Sequence, residues 1–236
     1  MTGVTTFMID KDIDTGGIIL REECRISDTD TAGDIHDRLM GMGASLVVET
    51  VEGLIQGNTE IRVQRSFIQG SEPLKPAPKL SRELCHIDWN DTTDNIYNLI
   101  RGLSPYPAAF TELVPVAQPT ASDDGATQNA TPSSDGKPVQ LKIYSAERIG
   151  AAEAEALYAA GGGSGRPLPG TVLSDGNGFL AVATADGALR IKDLQLAGKK
   201  RMDAKSFLLG FREPRAYVCV PGTSRSVLDS VRKVEA

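Results

Sequence analysis

The sequence has little of what several protein classes need. Its three cysteines, Cys24, Cys85 and Cys219, are odd in number, widely spaced and free of any Cys-x-x-Cys or His-x-x-x-His pairing. Neither a disulfide framework nor a zinc site is supported, and a reduced, cytoplasmic setting is the simplest reading. No apolar run approaches the roughly 20 residues that span a bilayer, and Met1 is followed by no charged-then-apolar signal, so no membrane is implied. Glycine is not scarce, but Gly161-Gly162-Gly163-Ser164-Gly165 is fed by no strand and followed by no Lys-Ser/Thr. That excludes a phosphate-cradling loop. Aromatic residues make up only 5% of the chain, with a single tryptophan.

What is present fits a globular protein of one or two domains: 236 residues, 40% apolar and 24% charged, enough for a sizeable core. The net charge of −6 hides an asymmetry. Residues 187–236 hold eleven Lys or Arg against five Asp or Glu, whereas residues 1–186 hold fourteen against twenty-six. A basic C-terminal module on an acidic chain suits an extended anionic partner such as a nucleic acid; a solvated basic helix face is the plainer alternative.

The densest stretch runs from Thr5 to Leu20. Thr5 to Ile9 and Ile18 to Leu20 are β-branched or apolar, and between them Asp10, Asp12 and Asp14 precede Gly16-Gly17. This reads as two strands joined by an acidic loop, a usual place for chemistry. Ile35, Leu39, Met42, Leu46, Thr50 and Leu54 then recur at helical spacing after the capping candidates Ser27 to Asp30, with Gly57-Asn58 as a stop. The apolar stripe is expected to lie on the sheet, and His36, at its edge, to be a partly exposed structural residue. Ile61 to Phe67 is extended, and the prolines between Gly70 and Pro78 mark a linker.

Beyond it, Trp89 precedes the capping cluster Asn90-Asp91-Thr92 and the helical stripe Ile96, Leu99, Ile100, Leu103, so core packing is its expected role. Ala108 to Val114 reads as a strand, and 115–138 as a disordered insert rich in Pro, Thr, Ser and Asp. Val139 to Tyr144 is strand-like and Glu153 to Ala160 helical. Gly170 to Leu173, Phe179 to Thr184 and Ala188 to Leu196 are strands joined by Asp-Gly turns, suggesting a small closed barrel. Asp203 caps a helical turn ending at Gly210. Ser224 to Val234 is a candidate amphipathic helix.

Thr2-Gly3-Val4-Thr5-Thr6 and the Asp14-Thr15-Gly16 loop resemble the family of methionyl-tRNA formyltransferases. The resemblance continues, in the family's order, through Lys79-Leu80-Ser81-Arg82-Glu83, Ile87-Asp88-Trp89, Ile100 to Pro107 and Ala197-Gly198-Lys199-Lys200-Arg201-Met202. It implies an α/β fragment, the end of a formyltransferase Rossmann-like domain, followed by a mostly β, OB-like barrel. The expected divisions are 1–70 for the catalytic part, 71–84 for a linker, 85–211 for the barrel and 212–236 for a C-terminal extension. The family's Asn-x-His motif is missing from the sequence, so the expectation is a C-terminal fragment, or the product of an internal start, inactive alone.

By the same resemblance the reaction is formyl transfer from 10-formyltetrahydrofolate to the amine of initiator methionyl-tRNA, by a monomer without a metal. Asp14 would tune the family's His and assist proton movement. The backbone at Met8, Ile9, Asp10 and Asp12 would line the pterin pocket. Lys79 and Arg82, at a joint close to tRNA in the family, and the cluster Lys199, Lys200 and Arg201 would contact tRNA phosphates. A sugar-nucleotide formyltransferase, or an RNA-binding module without catalysis, are the competing readings.

Overall fold

The computed structural model describes residues 1–68, 77, 79–116, 137–211 and 213–222. The bulk of the expected linker and of the Pro/Thr/Ser-rich insert, and the candidate helix at 224–234, lie outside those residues. The chain divides into two compact units, Met1–Lys79 and Leu80–Ala236.

In the first unit β1 (Thr2–Phe7) and β2 (Ile18–Cys24) form an antiparallel hairpin, in register from Thr2 opposite Cys24 to Thr6 opposite Leu20. The register shifts between Thr6 and Phe7, so Phe7 stands opposite Ile18, a bulge that bends the strand where the acidic loop begins. Ile18 and Arg62 then exchange both main-chain hydrogen bonds, at 2.8 and 2.9 Å, extending the sheet by one bridge. The extended reading of 61–67 holds only at its start, because Gln64–Phe67 is a 3-10 turn. Among the described residues this unit has no parallel strand pair.

Helix α1 (Ala32–Gln56) begins with a reciprocal capping box between Thr31 and Asp34 and ends at Gly57, whose φ of 68° is left-handed. Ile35, Leu39 and Met42 are half-buried, while Leu46 and Thr50 are buried. The Thr50 hydroxyl donates to the Leu46 carbonyl at 2.7 Å and pairs with the Thr6 hydroxyl at 2.8 Å, tying the helix to β1. Leu54 departs from the expected stripe and is 42% exposed. The inward position is taken by Gly53, where a Cβ would stand 2.4 Å from the Thr59 hydroxyl; one residue further turns about 100° away. Met40, Val47, Val51 and Ile55 make a second apolar stripe, and it is exposed. His36 is also exposed, its ring beside Asp37.

The second unit is an antiparallel, nearly closed barrel. Its strands are β3 (Ala109–Pro115), β4 (Val139–Gly150), β5 (Val172–Ser174), β6 (Leu180–Ala183), β7 (Gly187–Leu196), β8 (Met202–Asp203) and β9 (Tyr217–Val220). The sheet order is β5-β6-β7-β4-β3-β9, with β8 on β7. Closure comes from a bridge between Thr171 and Val218 and from the Cys219 amide donating to the Gly170 carbonyl at 2.9 Å. Gly170 permits this with φ 86°; a Cβ there would sit 2.4 Å from the Cys219 carbonyl oxygen. The barrel thus continues past residue 211, where the sequence reading had ended it: β9 pairs with β3.

Helix α2 (Thr93–Leu103) buries Ile96, Ile100 and Leu103 against this barrel. Its first turn is fixed by Asp186, whose carboxylate accepts from both the amide and the hydroxyl of Thr93 at 2.7 Å. Trp89 is fully buried and its indole N–H donates to the Thr111 hydroxyl at 3.0 Å. α3 (Ala151–Ala160) and α4 (Ala204–Gly210) complete the unit, and the Asp203 carboxylate caps α4.

Candidate functional site

Two surfaces carry the residues singled out from the sequence, one in each unit. The first is the loop between β1 and β2. Its neck is closed by the Met8 amide donating to the Gly17 carbonyl at 2.9 Å. Gly16 is obligatory there, since a Cβ would lie 1.6 Å from the Met8 carbonyl oxygen. Gln64 clamps the other side, its amide donating to the carbonyls of Asp14 (2.6 Å) and Gly16 (2.9 Å). These bonds hold Asp14 at φ 59°, a left-handed conformation that Asp adopts more readily than most residues.

The loop tip is open. Ile9 and Ile13 are 94% and 91% exposed. Asp10 bonds locally to the Lys11 amide, and the Asp12 carbonyl accepts from the Thr15 hydroxyl. The Asp14 carboxylate has no partner among the described residues, so it is not consumed in holding its own turn. Met8, Ile9, Asp10, Asp12 and Asp14 therefore share one exposed loop, with carboxylates and apolar side chains side by side. Gln64 is a residue the sequence reading missed; nothing in an isolated Gln fifty positions from Asp14 signals the clamp.

The second surface is an outer face of the barrel. Along β4, Leu141 and Ile143 point inward, whereas Gln140 and Lys142 alternate with them. Phe110 of β3 stands opposite Lys142, and Lys142 opposite Gln195 of β7, so these three side chains share a face. Arg82 lies over the Phe110 ring at 5.1 Å. The Tyr144 hydroxyl bonds the Gln195 side chain at 2.7 Å, and the Gln195 amide donates to the Lys199 carbonyl at 2.9 Å. Arg201 covers the Tyr144 ring at 4.3 Å. Arg82 and the Lys199-Lys200-Arg201 turn, more than a hundred residues apart, are thus joined across one face with Lys142 between them. Lys79 closes the first unit and is exposed.

The three cations of that turn are not equivalent. The Arg201 guanidinium is paired with Asp193, which with its stacking on Tyr144 makes it part of the barrel wall. That pairing raises its pKa. Lys199 and Lys200 are exposed. Lys142, Phe110, Tyr144 and Gln195 were absent from the sequence reading; the polar–apolar alternation along β4 was there to single out Lys142 and Tyr144, whereas Phe110 of β3 and Gln195 of β7 join them only through strand register. Among the described residues no group of His, Cys, Asp and Glu is arranged to hold a metal ion, and no helix is long and apolar enough to cross a membrane.

A nearly closed antiparallel barrel with one cationic outer face defines the class, and comparison with known proteins supplies the family. Residues 79–212 match the formyl transferase C-terminal domain. The chain belongs to the formyl transferase family through that domain. It is 44% identical over 216 residues to a methionyl-tRNA formyltransferase of Parabacteroides distasonis, covering 92% of this chain and 57% of the relative. Against the methionyl-tRNA formyltransferase of Flavobacterium johnsoniae identity is 36%, covering 89% of this chain and 55% of that protein. The chain thus spans rather more than half the length of these relatives. In fold it is similar to a crystal structure of HypX from Aquifex aeolicus in complex with tetrahydrofolic acid, with a TM-score of 0.54 at 18% identity, over 87% of this chain and 29% of that one.

Proposed function

We propose that the chain is the C-terminal part of an enzyme that formylates initiator methionyl-tRNA with 10-formyltetrahydrofolate in the cytoplasm. The observation that carries this reading is the cationic face linking Arg82, Lys142 and the Lys199–Arg201 turn, on a barrel whose relatives are named methionyl-tRNA formyltransferases. A nucleotide sugar is a small ligand and needs no such extended face; a polynucleotide does. In this account residues 1–70 are the end of a Rossmann-like catalytic domain, and the exposed second stripe of α1 is the surface that the rest of that domain covers.

Formyl transfer passes through a tetrahedral oxyanion after the amine attacks the formyl carbon, so the site needs a donor for that oxygen and a group to take the amine proton. Asp14 serves the second task by orienting and charging a histidine supplied from the part of the relatives outside the match. The main-chain amides of Ile9, Asp10 and Asp12, which have no partner among the described residues, offer with the exposed Met8 and Ile9 side chains an edge and an apolar wall for the pterin ring. Lys79, Arg82, Lys199 and Lys200 hold phosphates, and Arg201 chiefly shapes the turn that presents the two lysines.

The test is binding of initiator tRNA at several salt concentrations by the wild-type chain and by a Lys199→Ala, Lys200→Ala double variant. Affinity should fall with salt, and each lost phosphate contact should lower the slope of log affinity against log salt by about 0.7 to 0.9. An unaltered affinity and slope in the double variant would remove tRNA from the account of this face.

A further inference from the structure

The cationic face ends at a cleft of about 350 Å³ whose walls include Leu80, Arg82, Tyr106, Phe110, Gln140 and Lys142. Among the described residues lining it are two cations and no carboxylate, in a chain whose net charge is −6. Tyr106 stands at this cleft 85% exposed, although Ser104, Ala108 and Ala109 on either side of it are buried. The strap is anchored beneath the ring. The Ala108 amide donates to the Leu103 carbonyl at 2.9 Å, and the Lys142 ammonium donates to the Pro107 carbonyl at 3.4 Å. Prolines on both sides of Tyr106 fix their own φ and restrict the neighbouring backbone, so the ring is held out from a stiff support at little entropic cost on binding.

A large exposed aromatic ring beside two cations is the arrangement that single-stranded nucleic acid uses: the ring takes the face of a base and the cations take the adjoining phosphates. We propose that Tyr106 is a stacking platform for an unpaired base of the bound RNA, with Lys142 and Arg82 holding the phosphates next to it. The inference rests on the tRNA reading above and deepens it. Bases inside a stem have both faces covered, so Tyr106 engages a loop or end nucleotide while the Lys199–Lys200 turn follows the backbone. The absence of any carboxylate among the described lining residues favours a polyanion over a protein partner, whose surface would carry charges of both signs.

The full chain is titrated with initiator tRNA as wild type, Tyr106→Ala, Tyr106→Phe and Lys142→Ala, each at several salt concentrations. Tyr106→Ala should weaken binding about 5- to 150-fold, the range for removing one stacked base, with the salt slope unchanged. Tyr106→Phe keeps the π face and should bind as wild type. Lys142→Ala should lower the salt slope by about 0.7 to 0.9. Because Tyr106 is exposed, Tyr106→Ala should keep the wild-type thermal midpoint, which separates a lost contact from a lost fold. Wild-type binding that Tyr106→Ala leaves intact would overturn this inference alone; no tRNA binding by the wild-type chain would overturn it together with the functional reading. A defect shared by Tyr106→Phe would assign a hydroxyl hydrogen bond in place of stacking. Altered self-association with normal tRNA affinity would assign the ring to a protein contact. Either result overturns the proposal.

Discussion

Arg201 and Lys200 are adjacent in sequence and of the same charge, yet their surroundings give them different roles. Arg201 is bound to Asp193 and lies on Tyr144; Lys200 is exposed. Replacing Arg201 with Ala removes a part-exposed ion pair and a cation–π contact, each of modest value at a surface, so the barrel should lose about 1 kcal/mol in a denaturant melt. Lys200→Ala should stay within about 0.5 kcal/mol of wild type. Equal losses from both would mean that the Arg201 contacts do not matter to the fold. A sequence reading cannot make this distinction, since a run of three cations looks uniform until the fold brings the Asp193 carboxylate of β7 to one of them. Asp14 was singled out for the opposite reason: its neighbours Thr15 and Gly16 form a local motif whose spacing requires no distant residue, and the role given to it above is a proposal.

Elements were legible where the signal is local. The α1 stripe, the α2 stripe and the Asp-Gly turns all follow from residues within a few positions of one another, whereas the α1 cap falls on Thr31, one residue past the candidates Ser27 to Asp30. Strand β9 was not: it has four residues, no hairpin partner in sequence, and acquires its identity only from pairing with β3 a hundred residues earlier. The turn after β5 shows what a local signal can specify. The Asp175 carboxylate accepts from the amides of Asn177, Gly178 and Phe179, and these bonds lower its pKa from 3.8 to about 2. Because the folded value lies below the unfolded one, this contribution is fully present above about pH 4 and is lost as pH falls through 2. Asp175→Asn should therefore flatten the acid limb of barrel stability between those values; an unchanged acid limb would show that the turn does not need the charge. The β1–β2 loop makes a sharper demand. Gly16→Ala puts a Cβ on the Met8 carbonyl, so the loop must open, and hydrogen exchange at the Met8 main-chain amide, which donates to Gly17, should accelerate at least tenfold while the barrel amides keep their protection.

As a whole molecule the chain combines an acidic first part, exposing a carboxylate loop and an apolar helix face, with a barrel that carries Arg82, Lys142 and the Lys199–Arg201 turn on one outer face. Charge asymmetry in the sequence pointed to an anionic partner for the C-terminal part, but the face proposed to meet it is assembled from β3, β4, β7 and the turn before β8, and so was visible only once strand register was known. In the proposed function Asp14 belongs to a formyl-transfer site completed by the part of the relatives that lies outside the match. The most direct measurement joins the chain to the portion of the Parabacteroides distasonis relative that lies outside the match, and assays formylation of methionyl-tRNA by 10-formyltetrahydrofolate. The chain alone should show none, the joined protein should turn over, and Asp14→Asn should lower its rate by about 10² or more with tRNA affinity nearly unchanged. Turnover by the chain alone, or turnover in the joined protein that is indifferent to Asp14→Asn, would contradict the account.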